Sequence, residues 1–346
     1  MAAGKLVFEE ASAGRDDMVQ SFQVGGIGVS GGVRGRIVRL GPLVHHVLTR
    51  HAYPEPVSRL LAEAMALTSM LGAALKFEGR FTLQAQSDGP VSMLVVDYET
   101  PGTMRGYAHL DSARYEALAG NGAITAASLL GTGQLAMTVD QGEDMDTYQG
   151  IVPLGEGGFL QAAHEYFERS EQIATRIRLA AGPLYQRNVD GHGETAWRAG
   201  AIMIQHIARE GGITGYRAEG DERPFTDADE DWNRSVLLLD TVKDHELLDP
   251  ALSSERLLFQ LFHEDGVRVF EPVPVAFGCH CSRERLEDVL STFGDDDIAH
   301  MIVDGVISAT CDFCSTVYNF TPEELHRPDA ADVSSAGSRA SEERSS

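Results

Sequence analysis

The first 278 residues of this 346-residue chain contain no cysteine, and all four thiols come after them. That distribution excludes a disulfide scaffold, which spreads its cross-links along a small chain. Long apolar runs are also missing. The uncharged, strongly apolar stretch 64–75 falls short of the roughly 20 residues that a membrane-spanning helix needs, so no membrane partner is expected. Basic residues are scarce: 28 Lys and Arg stand against 52 Asp and Glu, a formal charge of −24. Such a balance favours solubility and opposes binding to a phosphate backbone, so nucleic acid is not an expected partner. A nucleotide loop is absent as well. The one Gly-Lys pair, Gly4-Lys5, is followed by leucine and lacks a P-loop frame, so no nucleotide partner is expected. The formal G-x-G-x-x-G at Gly26, Gly28 and Gly31 leads into an alternating, strand-like VRGRIVRL instead of a helix, and reads as a turn between two strands. No H-E-x-x-H occurs, and His45, His46 and His51 read as structural. The N-terminal MAAGKLVFEEASAGRDD has no apolar segment ahead of its charges, so the expectation is no secretory signal and a cytoplasmic protein.

What is present is a late pair of thiol pairs: Cys279-x-Cys281 in GCHCSRER and Cys311-x-x-Cys314 in ATCDFCSTVY. Two ligands from each of two tight turns suit tetrahedral Zn²⁺, one ion per chain. Four thiolates fill the coordination shell, so a hydrolytic zinc with an open position is excluded. Two readings stay open: an inert structural zinc, or a zinc that holds thiols ready for oxidation. A disulfide within Cys279–Cys281 would close a very small ring, and strained disulfides are the labile kind. Arg283 and Arg285 open a helix-like SRERLEDVLSTF, and such cationic neighbours favour thiolate. His280 and His300 are rival ligands, but four sulfurs suffice.

The remaining chain, 43% hydrophobic, is ample for one large domain with a smaller one. Residues 1–18 read as a flexible extension and 19–226 as an α+β core with a mainly antiparallel sheet. Within that core, 57–75 carries apolar residues at helical spacing and then on all sides, which predicts a buried helix with Met65 and Met70 as core packing. From Arg80 the period changes to two, with Phe81, Leu83 and Ala85 alternating against polar residues. Strands are expected near 104–110, 134–139 and 148–153, with Gly120-Asn121-Gly122 as a turn, then a helix over FLQAAHEYFERSEQ. Strands TRIRLAAG and WRAGAIMIQHI follow, separated by solvated loops. Residues 227–278 form an acidic helical linker. Its apolar strip is Val236, Leu238, Leu239 and Val242 on one helix and Leu257, Leu258, Leu261 and Phe262 on a second, which Ser253 or Ser254 caps. The zinc module spans 279–327, and 328–346 reads as a disordered tail.

Four stretches together resemble the redox-regulated heat-shock holdase family (heat shock protein 33). They are HAYPEPVSRLLAEAMALTSMLGAALKFEG, QSDGPVSMLVVDYETPGTMRGYA, EYFERSEQIATRIRLA, and CHCSRERLEDVL with CDFCSTVYNF. The similarity runs over about residues 19–325. It implies a mixed α/β core, a metastable helical linker and a C-terminal zinc module. It further implies that Cys279, Cys281, Cys311 and Cys314 bind zinc when reduced, and that oxidation forms Cys279–Cys281 and Cys311–Cys314 disulfides with zinc release and linker unfolding. The implied activity is ATP-independent holding of unfolding client proteins, without catalysis, with a homodimer favoured on oxidation. The linker strip named above and the buried core helix are both candidate client surfaces. Two other classes fit the thiols. One is a zinc-stabilised interaction protein without switching. The other is a thiol-disulfide oxidoreductase using Cys311 and Cys314, although the strand-then-helix setting expected of it is missing.

Overall fold

The computed structural model describes residues 16–25, 32–76, 78–120, 122, 124–142, 145, 147–187, 193–207 and 227–325. The chain divides into two compact units, Met1–Gly278 and Cys279–Ser346. In the first, β1 (Met18–Val24) and β2 (Gly32–Leu40) pair antiparallel, and the glycines Gly26, Gly28 and Gly31 lie outside the described residues. Next come α1 (Pro42–His51), α2 (Glu55–Gly72), β3 (Arg80–Ser87), β4 (Val91–Glu99) and β5 (Thr103–Leu110). They are followed by α3 (Ser112–Ala119), α4 (Ala126–Leu130), β6 (Gly133–Asp140), β7 (Tyr148–Leu154) and α5 (Gly158–Tyr166), which runs into a π-helical turn, Phe167–Glu171. Two long strands, β8 (Thr175–Arg187) and β9 (Gly193–Ile207), pair antiparallel. Then come α6 (Asp227–Asp240), α7 (Asp244–Leu248), α8 (Ser254–Phe262) and three short strands, β10 (Val267–Val269), β11 (Val273–Pro274) and β12 (Ala276–Phe277).

The strands build two sheets. One has the order β10-β1-β2-β9-β8 with β11 also on β1; the other has the order β12-β5-β4-β3-β6-β7. All pairs are antiparallel except β12 with β5, so the unit is α+β as its sequence pattern predicts. Between the sheets runs α2, packed on β2, β8 and β9 of one and on β3, β4 and β5 of the other. Prolines 54 and 56 start it where the missing N–H costs nothing, and 14 of its 18 residues are buried. That explains why the sequence turns apolar on all sides here: a helix held between two sheets has almost no solvent face. Met65 and Met70 are fully buried, as core packing requires. The three histidines are structural too. His45 Nδ1 accepts from Trp197 N at 3.3 Å, His46 leans on Phe277, and His51 stacks on Tyr53.

Several local expectations are corrected. GPLYQR is not a loop but the end of β8, whose length is fixed by thirteen register partners in β9 and not by its own pattern. Between β5 and β6 the chain forms α3 and α4 around Gly120-Asn121-Gly122, with α4 held by a Thr125–Ser128 capping box. The second linker helix, expected over 251–270, ends at Phe262, and 267–277, of which 271–278 was expected to be extended, adds strands to both sheets.

Candidate metal centre and the covered sheet face

The second unit contains α9 (Arg283–Leu290), α10 (Asp295–Met301), the hairpin β13 (Ile307–Thr310) and β14 (Val317–Phe320), and α11 (Pro322–Leu325). Ser282 caps α9 by accepting from Arg285 N at 3.2 Å. Among the described residues, its buried apolar cluster is Leu290, Ile298, Ile307, Phe320 and Leu325. So small a core needs a staple.

The four cysteine sulfurs are placed where a metal ion could supply one. They lie within 4.8 Å of one another, with Cys279 Sγ 3.7 Å from Cys311 Sγ and Cys281 Sγ 3.3 Å from Cys314 Sγ. Ligands about 2.3 Å from a tetrahedral zinc sit about 3.8 Å apart, so the spacing fits that ion. Cys311 and Cys314 occupy the turn of the β13–β14 hairpin, where Ser315 takes positive φ and its N–H donates to Cys311 O at 2.8 Å. Cys314 is buried and the other three half-buried. Neither His280 nor His300 belongs to the cluster, and His300 Nδ1 instead lies 2.5 Å from Asp296 O.

Burial pushes the Cys311 thiol up to about 12 and also raises that of Cys281. Burial acts the same way on Cys314, but Thr316, whose Oγ1 lies 3.1 Å from Sγ and whose N–H also contributes, together with Cys281 and Cys311 outweighs it and lowers that thiol to about 7. Tyr318 Oη sits 3.4 Å from Cys281 Sγ. The expected influence of the arginines is not found. Arg283 donates to Asn319 O, pairs with Glu324 at 2.8 Å and covers the Phe320 ring, while Arg285 donates to His280 O. They brace the module's backbone, and the shifts at Cys281, Cys311 and Cys314 come from burial, hydroxyls, backbone N–H groups and neighbouring thiols.

A second arrangement lies in the first unit. On the face of the β10-β1-β2-β9-β8 sheet turned away from α2, Phe22, Val33, Ile37, Ile202 and Ile204 form an apolar floor. The helices α6–α8 cover it. All eight residues of the predicted strip join this cluster: Leu239, Val242, Leu257, Leu258 and Phe262 fully buried, Val236, Leu238 and Leu261 partly. Phe262 stacks on Phe22 with ring centroids 5.9 Å apart, and Ser253 caps α8. In this conformation the strip is the underside of a lid.

Polar residues that sequence reasoning missed surround the floor. Arg176 grips Asp240 through two bonds of 2.8 and 2.9 Å. Arg178 donates to Val242 O at 3.0 Å and lies 3.6 Å from Asp244. Arg39, almost wholly buried, donates to Asp249 O at 2.9 Å, and Gln20 donates to Glu255 at 3.1 Å. Burial, then the nearby Arg198, lowers Arg39 to about 10. Alternating arginines in TRIRLAAG were the available signal, since residues two apart on a strand share a face.

Fold and site together define a two-sheet body with a helical cover, followed by a four-thiol module that could hold a metal ion. Comparison with known proteins makes this specific. The family model for the Hsp33 protein matches residues 22–321. A 33 kDa chaperonin of Caulobacter vibrioides is 44% identical over 310 residues, covering 89% of this chain and 95% of that protein. That of Escherichia coli is 34% identical over 300 residues, covering 85% and 89%. The crystal structure of the Thermotoga maritima 33 kDa chaperonin (heat shock protein 33 homologue) superposes with a TM-score of 0.66 at 23% identity, covering 89% of this chain and 96% of that one, a likeness of fold. The chain belongs to the Hsp33 family. Among the described residues, no helix is long and apolar enough to cross a membrane.

Proposed function

We propose that this protein is a redox-regulated, ATP-independent holdase of the cytoplasm, idle while its four thiols hold Zn²⁺ and active once they are oxidised. The observation that carries the reading is the acidic helical segment docked through Leu239, Val242, Leu257, Leu258 and Phe262 over an apolar sheet face. Zinc held by Cys279, Cys281, Cys311 and Cys314 would neutralise thiolates and cross-link two turns of a module with a five-residue core, supplying roughly 10–16 kcal/mol. A peroxide-class oxidant converts Cys279 with Cys281, and Cys311 with Cys314, to disulfides. Each zinc-held thiolate pair gives up two electrons, and one peroxide takes them with two protons from solvent to become two waters. The ligand charge is then gone, zinc is released, and the module loses its fold.

Chain continuity passes this loss on. Cys279 follows Phe277 of β12 by two residues, and β10, β11 and β12 are strands of only three, two and two residues. Once they fray, α6–α8 lift, and both the strip and the sheet beneath it meet unfolding proteins. The net charge of −24 keeps the complexes soluble. The holdase works stoichiometrically, without catalysis or nucleotide, and favours a homodimer when oxidised.

Zinc content and suppression of light scattering, measured on one preparation with a thermally aggregating client and no ATP, test the proposal. Reduced protein should carry one zinc and be idle; peroxide with mild warming should release zinc and stop aggregation. If zinc leaves while aggregation continues unchanged, the thiols are a structural staple and the chaperone reading fails.

A further inference from the structure

The segment that covers the sheet has an unusual charge relation to what it covers. Between residues 227 and 262 there are nine acidic residues (Asp227, Asp229, Glu230, Asp231, Asp240, Asp244, Glu246, Asp249, Glu255) and three basic ones (Arg234, Lys243, Arg256), a net of 3 − 9 = −6. The face beneath is rimmed with cations in a chain whose net charge is −24. Arg176 and Arg178 stand two apart on β8, on the side that also presents Ala180 to the covering helices. Arg39 lies on β2, with Nε and Nη2 buried and unpartnered in the covered state. Arg198 is matched by Asp16, just ahead of β1, at 2.8 Å from Nη1 to Oδ2. The partners of the other three come from the cover: the Asp240 carboxylate, Asp244, and the carbonyls of Val242 and Asp249. Two carboxylates of the body lie near this rim: Asp16, which also acts on Arg39, and Glu63 of α2, which senses Arg59 and then Asp244. Burial, ahead of both, pushes Glu63 up to about 7, so at neutral pH it carries only part of its charge.

Resting on the holdase reading, we propose that this sheet face selects client segments in which carboxylates flank apolar residues, and that α6–α8 are its built-in occupant of that chemistry. The apolar floor supplies affinity, and the arginine rim supplies preference. When the cover lifts, Arg39, Arg176 and Arg178 lose their matched partners together, and a segment carrying Asp or Glu beside Leu or Phe restores them. A segment carrying lysine in those places fills the floor but leaves the guanidiniums facing like charge. The selectivity runs against the molecule's overall field, which attracts cations.

Two fluorescent peptides with identical Leu and Phe positions, one flanked by Glu and one by Lys, discriminate. Anisotropy titrations use the full chain after peroxide oxidation, at low and at molar salt. The Glu peptide should bind about fivefold tighter at low salt, from two or three partly exposed charge pairs, and molar salt should bring the ratio close to one. Arg176→Gln with Arg178→Gln should remove the preference while leaving the Lys peptide's affinity within about twofold. A role confined to latching the cover would ease its opening but leave the peptide ratio of the oxidised protein unchanged, which overturns the proposal. Equal binding of the two peptides, or preference for lysine, does the same. Suppressed aggregation with neither peptide bound moves the client site elsewhere and sinks the inference alone; no suppression and no binding sinks the holdase reading with it.

Discussion

Replacing Phe262 by alanine should open the cover without any oxidant. Phe262 is fully buried at the end of α8 and stacked on Phe22, so truncation removes both an aromatic contact and the filling of the apolar floor. Phe→Ala in a packed core costs about 3–5 kcal/mol, which raises the open population by roughly two to nearly four orders of magnitude. The loss falls on the interface between α8 and the sheet, and α2 with the second sheet is untouched because they belong to a separate apolar cluster. Hydrogen exchange of the reduced, zinc-loaded protein is the assay. Slow amides of α6 and α8 should speed up by that factor, amides of β3 and β4 should not change, and zinc content should stay at one per chain. The variant should also suppress aggregation while reduced. If β3 and β4 accelerate in step with α8, the cover is no separate cooperative unit and the reasoning collapses. Unchanged exchange in α8 would be equally fatal.

Other outcomes follow from the same geometry. Gly200→Ala places a Cβ 2.7 Å from Leu247 O and 3.1 Å from Leu247 Cβ, so α7 should be displaced, with faster exchange at 244–249 and a far smaller change in α2. Cys314→Ser should abolish stoichiometric zinc and unfold the second unit, seen as lost chemical-shift dispersion for 279–325 while the first unit keeps its signals. Zinc affinity should rise steeply with pH. Cys281 and Cys311 have raised pKa values without metal, the latter about 12, so near pH 8 each surrenders a proton on binding. Competition with a chelator should therefore show at least about a hundredfold gain per pH unit there, and a flat profile would mean that those thiols are already ionised.

How much of this was legible in the sequence depends on how local each signal is. The burial of α2 was readable because a helix with no polar face has one place to go, and the alternation at Phe81, Leu83 and Ala85 fixes a strand by itself. The four cysteines announced their cluster through spacing alone. The partners of β8 and β9 were not readable, since their length comes from mutual register and GPLYQR has no period of its own. Strands such as Val273–Pro274 exist only because β1 offers an edge. The expected action of Arg283 and Arg285 on the thiols failed for a similar reason. Adjacency in sequence placed them near the ligands, and distant Asn319, Glu324 and Phe320 claimed the first of them.

The connections of the cover carry a further consequence. It begins after β9, which ends at Ile207 and pairs with β2, and it ends at β10, which starts at Val267 and pairs with β1. Both ends are thus stitched into the very sheet it lies on. With β10 frayed, a detached cover still stays joined to the sheet through β9, so its return is intramolecular. Tethered segments of this kind present themselves at effective concentrations on the order of millimolar. On the proposed holdase reading, any client on the sheet would face a permanent competitor, and eviction would need no fuel once the thiols are reduced and the segment can fold again.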